Sequence, residues 1–560
     1  MKQENTVSRS LIFVLVTFVY LVTKWITFKG FSGTDDLHYA NLASNMLKGT
    51  YTPFIKDDIF SGRIGLIGLQ ALVYAVGGIS AFTTQINSLL LTILCCYLTL
   101  FKLGRLKYKG SLLVGTSLFY FNPVLNQATL GIMPDVYIMF TIIIVLILWK
   151  KNKTTISKRK FAGINLLIGA IILAALFFKE SAIICIPFLI CLGIYQRKQN
   201  GIKAAVIVTG SFTIGVLLCG LFYYRYTNDF FFKLHQIQNA DYPNPCNYAP
   251  LPSREMLTRL TYGVWREFIT VGFFPVMLAA MLIACSFFYR KLLWQKLHLE
   301  IACFIILTIL GLYLPFSVKR YQPLCHNARH FIFLYPFAVI IVAKFVTKAF
   351  EPNGLMLKYM SVSSLVILAV SFTTTGNKWM WMMYGLFSTY FIFLLLVRKG
   401  IGLQVKYVSF GVLVWLFMPY KLFFQSSSWY KDSCRLSQQV TGNYFYFPEH
   451  VNMMTWKFIH GFNAVNHYYN MEPTPFKIFV PYYEKQDSIF HAGWFVVNNA
   501  FTDRTPNYLK AIKEFGNGTY FLDQNKVGDM TAYYLKDISQ YRYIDSLTAV
   551  DYKTINPCCN

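Results

Sequence analysis

Charge is scarce in this chain, and acid is scarcer than base. Charged residues make up 14% of the 560 positions, with 25 acidic against 52 basic side chains. A soluble globular domain carries about a quarter charged residues, so a soluble protein with one large core is excluded. No CxxC pair occurs among the twelve cysteines, and Cys558 and Cys559 simply stand side by side at the end. Cys95, Cys96, Cys185, Cys191, Cys219, Cys285 and Cys303 fall in apolar runs, where cysteine behaves as a small buried hydrophobe. A nucleotide-binding Gly-rich loop, a His/Cys metal cluster and a Gly-x-Ser-x-Gly elbow are all missing. No small-x-small cleavage site follows the first apolar stretch, about 11–28, so it reads as a retained anchor. Repeats and low-complexity tracts are absent as well.

What the chain has in abundance is apolar and aromatic surface. Hydrophobic residues reach 55%, with 51 Phe and 38 Tyr, as in a protein rich in membrane spans and interfacial rings. The formal charge of +27 invites a nucleic-acid reading, but its distribution argues against one. Residues 425–560 hold twelve basic and twelve acidic side chains and are neutral. The excess lies in 1–424, in short clusters between apolar runs, which is the pattern of cytoplasmic loops and not of a phosphate-tracking face.

Thirteen apolar runs lie at about 10–28, 83–101, 111–122, 134–149, 161–178, 182–195, 203–224, 268–288, 299–315, 330–347, 357–374, 380–397 and 405–424. A span needs roughly 20 residues, and the stretch 64–78 is shorter than that. Its placement is decided by Lys and Arg. With 64–78 outside the bilayer core and the N-terminus cytoplasmic, the loops 102–110, 150–160, 196–203, 290–298, 348–358 and 398–406 face the cytoplasm with 21 basic residues. The short external loops then carry five. A spanning 64–78 inverts that bias in every later loop, so the segment is expected to be an interfacial or re-entrant helix. The expected architecture is a polytopic α-helical membrane protein of about 13 transmembrane helices, residues 1–424, with juxtamembrane helices in the first external loop, 29–82. A small extracytoplasmic α/β or α+β domain, 425–560, follows, built on Ile478–Tyr483, Trp494–Asn498, Tyr520–Leu522 and a helical stretch near Tyr508–Phe515.

The ionisable residues of the outer side are the candidates for chemistry. Asp35 and Asp36 precede Tyr39, Leu42, Ala43, Met46 and Leu47, which recur at helical spacing before Gly49. Thr34 or Asp35 caps this helix, and the acidic pair either complements its N-terminus or does chemistry. Asp135 opens a span after Pro134, and Glu180 sits in a three-residue turn beside Lys179. Ionisable groups at membrane depth are costly and line a cavity or pair with one another. A helix cap at Asp135 and a neutralising Lys179 are the plain alternatives. Lys319, Arg320 and Arg329 gather in the external loop 316–329, against the positive-inside trend, and Arg63 precedes the interfacial helix. Their partners are lipid headgroups or a phosphate-bearing substrate. Carboxylates that take a hydroxyl proton, and cations that hold a departing phosphate, suit the transfer of a lipid-phosphate-borne group to a hydroxyl.

The run Thr34-Asp35-Asp36-Leu37-His38-Tyr39-Ala40-Asn41-Leu42-Ala43-Ser44-Asn45-Met46-Leu47-Lys48-Gly49-Thr50-Tyr51 resembles the first periplasmic loop of GT-C superfamily glycosyltransferases, the bacterial aminoarabinose transferases and protein O-mannosyltransferases among them. Met133-Pro134-Asp135, Lys179-Glu180-Ser181 and Arg329-His330-Phe331-Ile332-Phe333-Leu334-Tyr335-Pro336 are similar to later motifs of that family. The resemblance implies an inverting transferase that uses a polyprenyl-phosphate sugar, with a lipid, glycan or protein hydroxyl as acceptor. Asp35 becomes the base and Asp36 its neighbour. Asp135, Glu180 and Lys179 orient sugar, acceptor or a metal, while Arg329 with Lys319, Arg320 and Arg63 holds the lipid phosphate. One departure stands out: where aminoarabinose transferases carry Glu-Lys-Pro-Pro, this chain has Ile59-Phe60-Ser61-Gly62-Arg63. That removes one metal ligand and leaves a divalent ion as an open question. A bacterial inner membrane, with the C-terminal domain periplasmic, is the expected setting.

Two rival classes make different demands. An O-antigen ligase or polymerase, acting on diphosphate-linked glycans, would draw on Arg254, Arg259 and His235 in the loop 225–267. A lipid transporter or flippase needs polar residues near the bilayer midplane, whereas the ionisable residues here gather at one face.

Overall fold

The computed structural model describes residues 6–28, 30–31, 35–56, 58–152, 157–239, 253–287, 294–315, 323–351, 355–397, 401–424, 429–442, 444–447, 450–462, 467–470, 493–498, 521–528 and 530–535. Thr34, Lys319, Arg320, Cys558 and Cys559 lie outside them, as do the stretches 478–483 and 508–515.

The first helices are α1 (Thr6–Thr27), α2 (Asp35–Leu47), α3 (Ile64–Gly77), α4 (Ala81–Tyr97), α5 (Lys109–Tyr120), α6 (Pro123–Ala128) and α7 (Asp135–Asn152). Then come α8 (Lys158–Leu176), α9 (Cys185–Tyr195), α10 (Gly201–Thr227), α11 (Phe232–Asn239), α12 (Ser253–Leu260), α13 (Gly263–Thr270) and α14 (Phe274–Phe287). The series continues through α15 (Trp294–Tyr313), α16 (Tyr335–Ala349), α17 (Leu355–Thr374), α18 (Lys378–Leu396) and α19 (Leu403–Phe424). The apolar runs fall largely on helical segments, with 268–288 divided between α13 and α14, and Ile64–Gly77 is a helix of its own, α3. Among the described residues, seven helices are long and apolar enough to cross a membrane, and five shorter apolar helices accompany them. The chain is an integral membrane protein.

The chain packs as two units. The first is Met1–Thr27, Thr52–Leu66 and Asn87–Phe423; the second is Phe28–Tyr51, Ile67–Ile86 and Phe424–Asn560. Within the first unit, side-chain pattern decides which helix is central. α7 and α16 are apolar on all sides and buried almost throughout, as helices surrounded by other helices must be. α1, α8 and α10 instead leave Phe18, Leu166, Val206 and Leu217 exposed along one face, which suits hydrocarbon. Tyr335, the first residue of α16, stacks on Phe273 at 5.6 Å and donates its hydroxyl to the Leu118 carbonyl. Pro336 follows in the first turn, where the missing N–H costs nothing. Both central helices start at the end of the unit where the ionisable residues gather.

Cys325, between α15 and α16, is disulfide-bonded, whereas the eight other described cysteines are free. The bond has no signature in cysteine spacing, so the sequence reading passed over it.

In the second unit, α20 (Trp429–Gln439) and α21 (His450–Ile459) accompany five strands, β1 (Tyr444–Phe447), β2 (His467–Asn470), β3 (Gly493–Asn498), β4 (Phe521–Val527) and β5 (Met530–Leu535). The sheet order is β2-β1-β3-β5-β4. β1 pairs in parallel with β2 and β3, and β3–β5 and β5–β4 are antiparallel. A hairpin grafted on a parallel core makes this a mixed sheet, with Trp456 of α21 packed between Phe445 and Phe447.

Candidate active site

The acidic pair and the later ionisable motifs fall in different units. In the second unit, α2 begins at Asp35 and ends at Leu47, and Gly49 adopts the left-handed conformation at φ 72°. The Gly49 and Thr50 N–H groups close on Met46 and Asn45 carbonyls, which is how a glycine finishes a helix. Two acids at the start of a helix meet its positive end. Their environments differ: Asp36 is buried, with Oδ1 accepting from the Leu37 N–H at 2.9 Å, whereas Asp35 is half-buried. Tyr74 of α3 lies within electrostatic reach of Asp36; burial first, and then that negative charge, push its phenol up. The Tyr74 hydroxyl is 2.8 Å from Thr84 Oγ1.

In the first unit, three segments far apart in sequence converge. Asp135, at the start of α7, is 4% exposed. Lys179, in the turn after α8, forms an ion pair with Asp135 Oδ1. His330, in the 3-10 turn Ala328–Leu334 before α16, brings Nδ1 to 3.1 Å from both Lys179 Nζ and Asp135 Oδ1. Arg329 acts electrostatically on both Asp135 and Lys179, and its Nη1 reaches Met133 Sδ at 3.5 Å. Burial pulls the Lys179 amine below the usual lysine range, and Asp135 offsets only part of that. A buried carboxylate left without its cation costs about 3–5 kcal/mol, so Asp135 and Lys179 depend on one another.

The neighbouring residue faces a second cluster. Glu180 accepts from Arg63 Nε at 3.0 Å and Nη2 at 2.8 Å, and pairs with Lys233 of α11 at 2.9 Å. Burial raises the Glu180 carboxyl, but Arg63 and Lys233 overcome it and leave it lowered to about 2. The segment carrying Arg63 is itself held. Asp58 accepts from the Phe60 and Ser61 N–H groups, and Gln236 of α11 donates to the Ile55 and Asp58 carbonyls at 2.7 and 2.8 Å. Gly62 passes so near Lys233 Nζ and Gln236 Oε1 that a side chain there would collide with both.

The structure thus brings Asp135, Lys179 and Arg329 together, and pairs Arg63 with Glu180. Sequence reasoning gave no role to His330 or Lys233. Neither announces itself by charge pattern: His330 opens an apolar run, and Lys233 follows three phenylalanines. Among the described residues no three His, Cys, Asp or Glu side chains gather as a metal site would require. In the Asp135–His330 pair the Lys179 ammonium already holds the place a cation would take. Of the rival set, His235 pairs with Asp229 at 2.7 Å, and Arg259 is buried with Nη2 on the Leu324 carbonyl at 2.7 Å.

No protein-family model and no curated protein matches the sequence. The fold does have solved counterparts. ArnT from Cupriavidus metallidurans in the apo state superposes with a TM-score of 0.54 at 14% identity, covering 93% of this chain and 97% of that one. The same protein bound to undecaprenyl phosphate gives 0.52 at 13% identity, with the same coverage. This chain therefore shares the fold of these two structures along nearly its whole length.

Proposed function

We propose that this protein is a glycosyltransferase that moves a sugar from a polyprenyl-phosphate donor to a hydroxyl acceptor on the outer face of the membrane. The observation that carries the reading is the convergence of Asp135, Lys179 and His330, with Arg329 beside them, at one end of the two central helices. That convergence sits in a fold shared along nearly its whole length with a protein whose structure holds undecaprenyl phosphate. In this reading Asp35 removes the acceptor proton, the acceptor oxygen attacks the anomeric carbon, and the bond to the phosphate oxygen breaks with inversion. The polyprenyl phosphate leaves as an anion, and preorganised cations stabilise the charge it gathers.

Asp36, buried and bonded to the chain at Leu37, is the supporting member of the pair, and Asp35 is the more accessible one. Lys179 suits a phosphate contact: Asp135 engages one of its three N–H bonds and fixes the ammonium beside His330 Nδ1. Arg329 adds to the same end, and Lys319 and Arg320 belong to the loop that leads to it. Glu180 orients Arg63 and Lys233 through its ion pairs. The N-terminus is cytoplasmic, α3 is interfacial, thirteen helices span, and residues 425–560 are extracytoplasmic, in a bacterial inner membrane. The disulfide at Cys325, in a loop assigned to the outer side, supports that orientation, because such bonds persist in oxidising compartments.

Purified protein supplied with a polyprenyl-phosphate sugar and an envelope extract tests the mechanism. Asp35→Asn is expected to cut transfer by roughly 10²–10⁴-fold while leaving folding and membrane insertion intact. Full activity in that variant removes Asp35 from the chemistry.

A further inference from the structure

A second ligand position lies on the first unit, built from α13, α14 and α17 and sharing no residue with the Asp135 cluster. α13 is a short amphipathic helix. It buries Val264, Phe268 and Ile269 and leaves Arg266 exposed. The Arg266 guanidinium makes a single long bond, Nε to the Thr374 carbonyl at 3.4 Å, and forms no ion pair among the described residues. An arginine has five N–H donors in a planar fork that matches phosphate, so most of this one's capacity is unused.

Beneath Arg266 runs a cavity of about 320 Å³, walled by Trp265, Ile269, Met281, Val366 and Val370. Thr374, the last residue of α17, marks the Arg266 end. Val366 lies eight residues back along the helix, roughly 12 Å deeper at 1.5 Å per residue. Trp265 and Tyr262 line the cavity as well, rings of the kind that gather at the boundary between headgroups and hydrocarbon. Val362, Val366 and Val370 stay exposed along this side of α17, so this face meets lipid rather than another protein element.

We infer that this groove holds one anionic glycerophospholipid, its phosphate on Arg266 and one acyl chain in the cleft between α13, α14 and α17. A cation above an apolar slot, at headgroup depth, complements both halves of such a molecule. The site is independent of sugar transfer and stands or falls on lipid binding alone.

Full-length protein, delipidated in detergent, is titrated with phosphatidylglycerol, with a diacylglycerol bearing the same chains, and with inorganic phosphate, and bound lipid is read by native mass spectrometry. Phosphatidylglycerol is expected to bind at least about tenfold more tightly than the diacylglycerol, the ratio that one charge-assisted phosphate contact supports. Inorganic phosphate is expected not to displace it. Arg266→Gln and Val370→Trp, one removing the cation and the other filling the cleft, each weaken retention by about tenfold. Equal binding of the two lipids, displacement by inorganic phosphate, or undiminished retention in either variant overturns the assignment. Unchanged melting of both variants without added lipid separates lost binding from lost folding.

Discussion

The two ends of α7 carry charge in different ways. At Asn152's end, Lys150 makes one ion pair, 3.2 Å from Glu300, plus a bond to the Leu103 carbonyl, and the lysine keeps some exposure. At Asp135's end, a buried carboxylate, a buried lysine and a histidine from three separate segments meet, with Arg329 close by. The first kind is a single part-buried pair with one backbone contact. Concentrating ionisable groups at depth is expensive, and proteins do so where chemistry or binding needs it. The asymmetry also counts against a transporter, whose polar residues belong at the midplane.

Substitutions at the two ends break or sharpen this contrast. Asp135→Asn keeps the shape and removes the charge; transfer from a polyprenyl-phosphate sugar is expected to fall by about 10²–10³-fold, the size of one lost electrostatic element in an active site. His330 comes next. It enters the cluster through Nδ1, so His330→Asn, whose amide sits where Nδ1 does, should retain most activity. His330→Gln, whose amide sits where Nε2 does, should lose roughly tenfold, the worth of one hydrogen bond to a charged group. Equal losses in the two variants would show that the Nδ1 contacts carry nothing.

Glu180 gives a pH signature on stability. Its folded carboxyl is lowered to about 2 from an ordinary 4.5, so its contribution is present above pH 4.5 and is lost as pH falls toward 2. Thermal melts of wild type and Glu180→Gln should therefore differ at neutral pH and draw together on acidification through that window. A gap that is constant with pH would mean the Arg63 and Lys233 pairs are not the source. The smallest effect belongs to the far end of α7: Lys150→Gln is expected to change transfer by less than about twofold, since its partners Glu300 and Leu103 lie outside the Asp135 cluster.

Much of this was legible in the linear chain because the bilayer imposes length and charge rules. The apolar runs land largely on helical segments, and 64–78 and the helix ending at Gly49 are where periodicity and a left-handed glycine put them. Asp135, Lys179 and Arg329 stood out because charge at the edge of an apolar run is conspicuous, and the structure unites them. His330 and Lys233 were silent, one for lack of charge and the other for lying in an aromatic run. The partnership of Arg63 with Glu180 depends on a contact across 117 positions, which no local pattern encodes. The same holds for Cys325, whose disulfide has no spacing motif. For Asp35 and Asp36, sequence and fold agree on the helix they start.

The most direct measurement is donor turnover by the purified protein, followed by mass spectrometry of the released lipid. A sugar linked to polyprenyl monophosphate and the same sugar linked to polyprenyl diphosphate are offered in parallel with an envelope acceptor extract. Release of polyprenyl phosphate from the first, with a matching sugar gain in the acceptor pool, is the predicted result. Consumption of the diphosphate donor alone, or of neither, would contradict it.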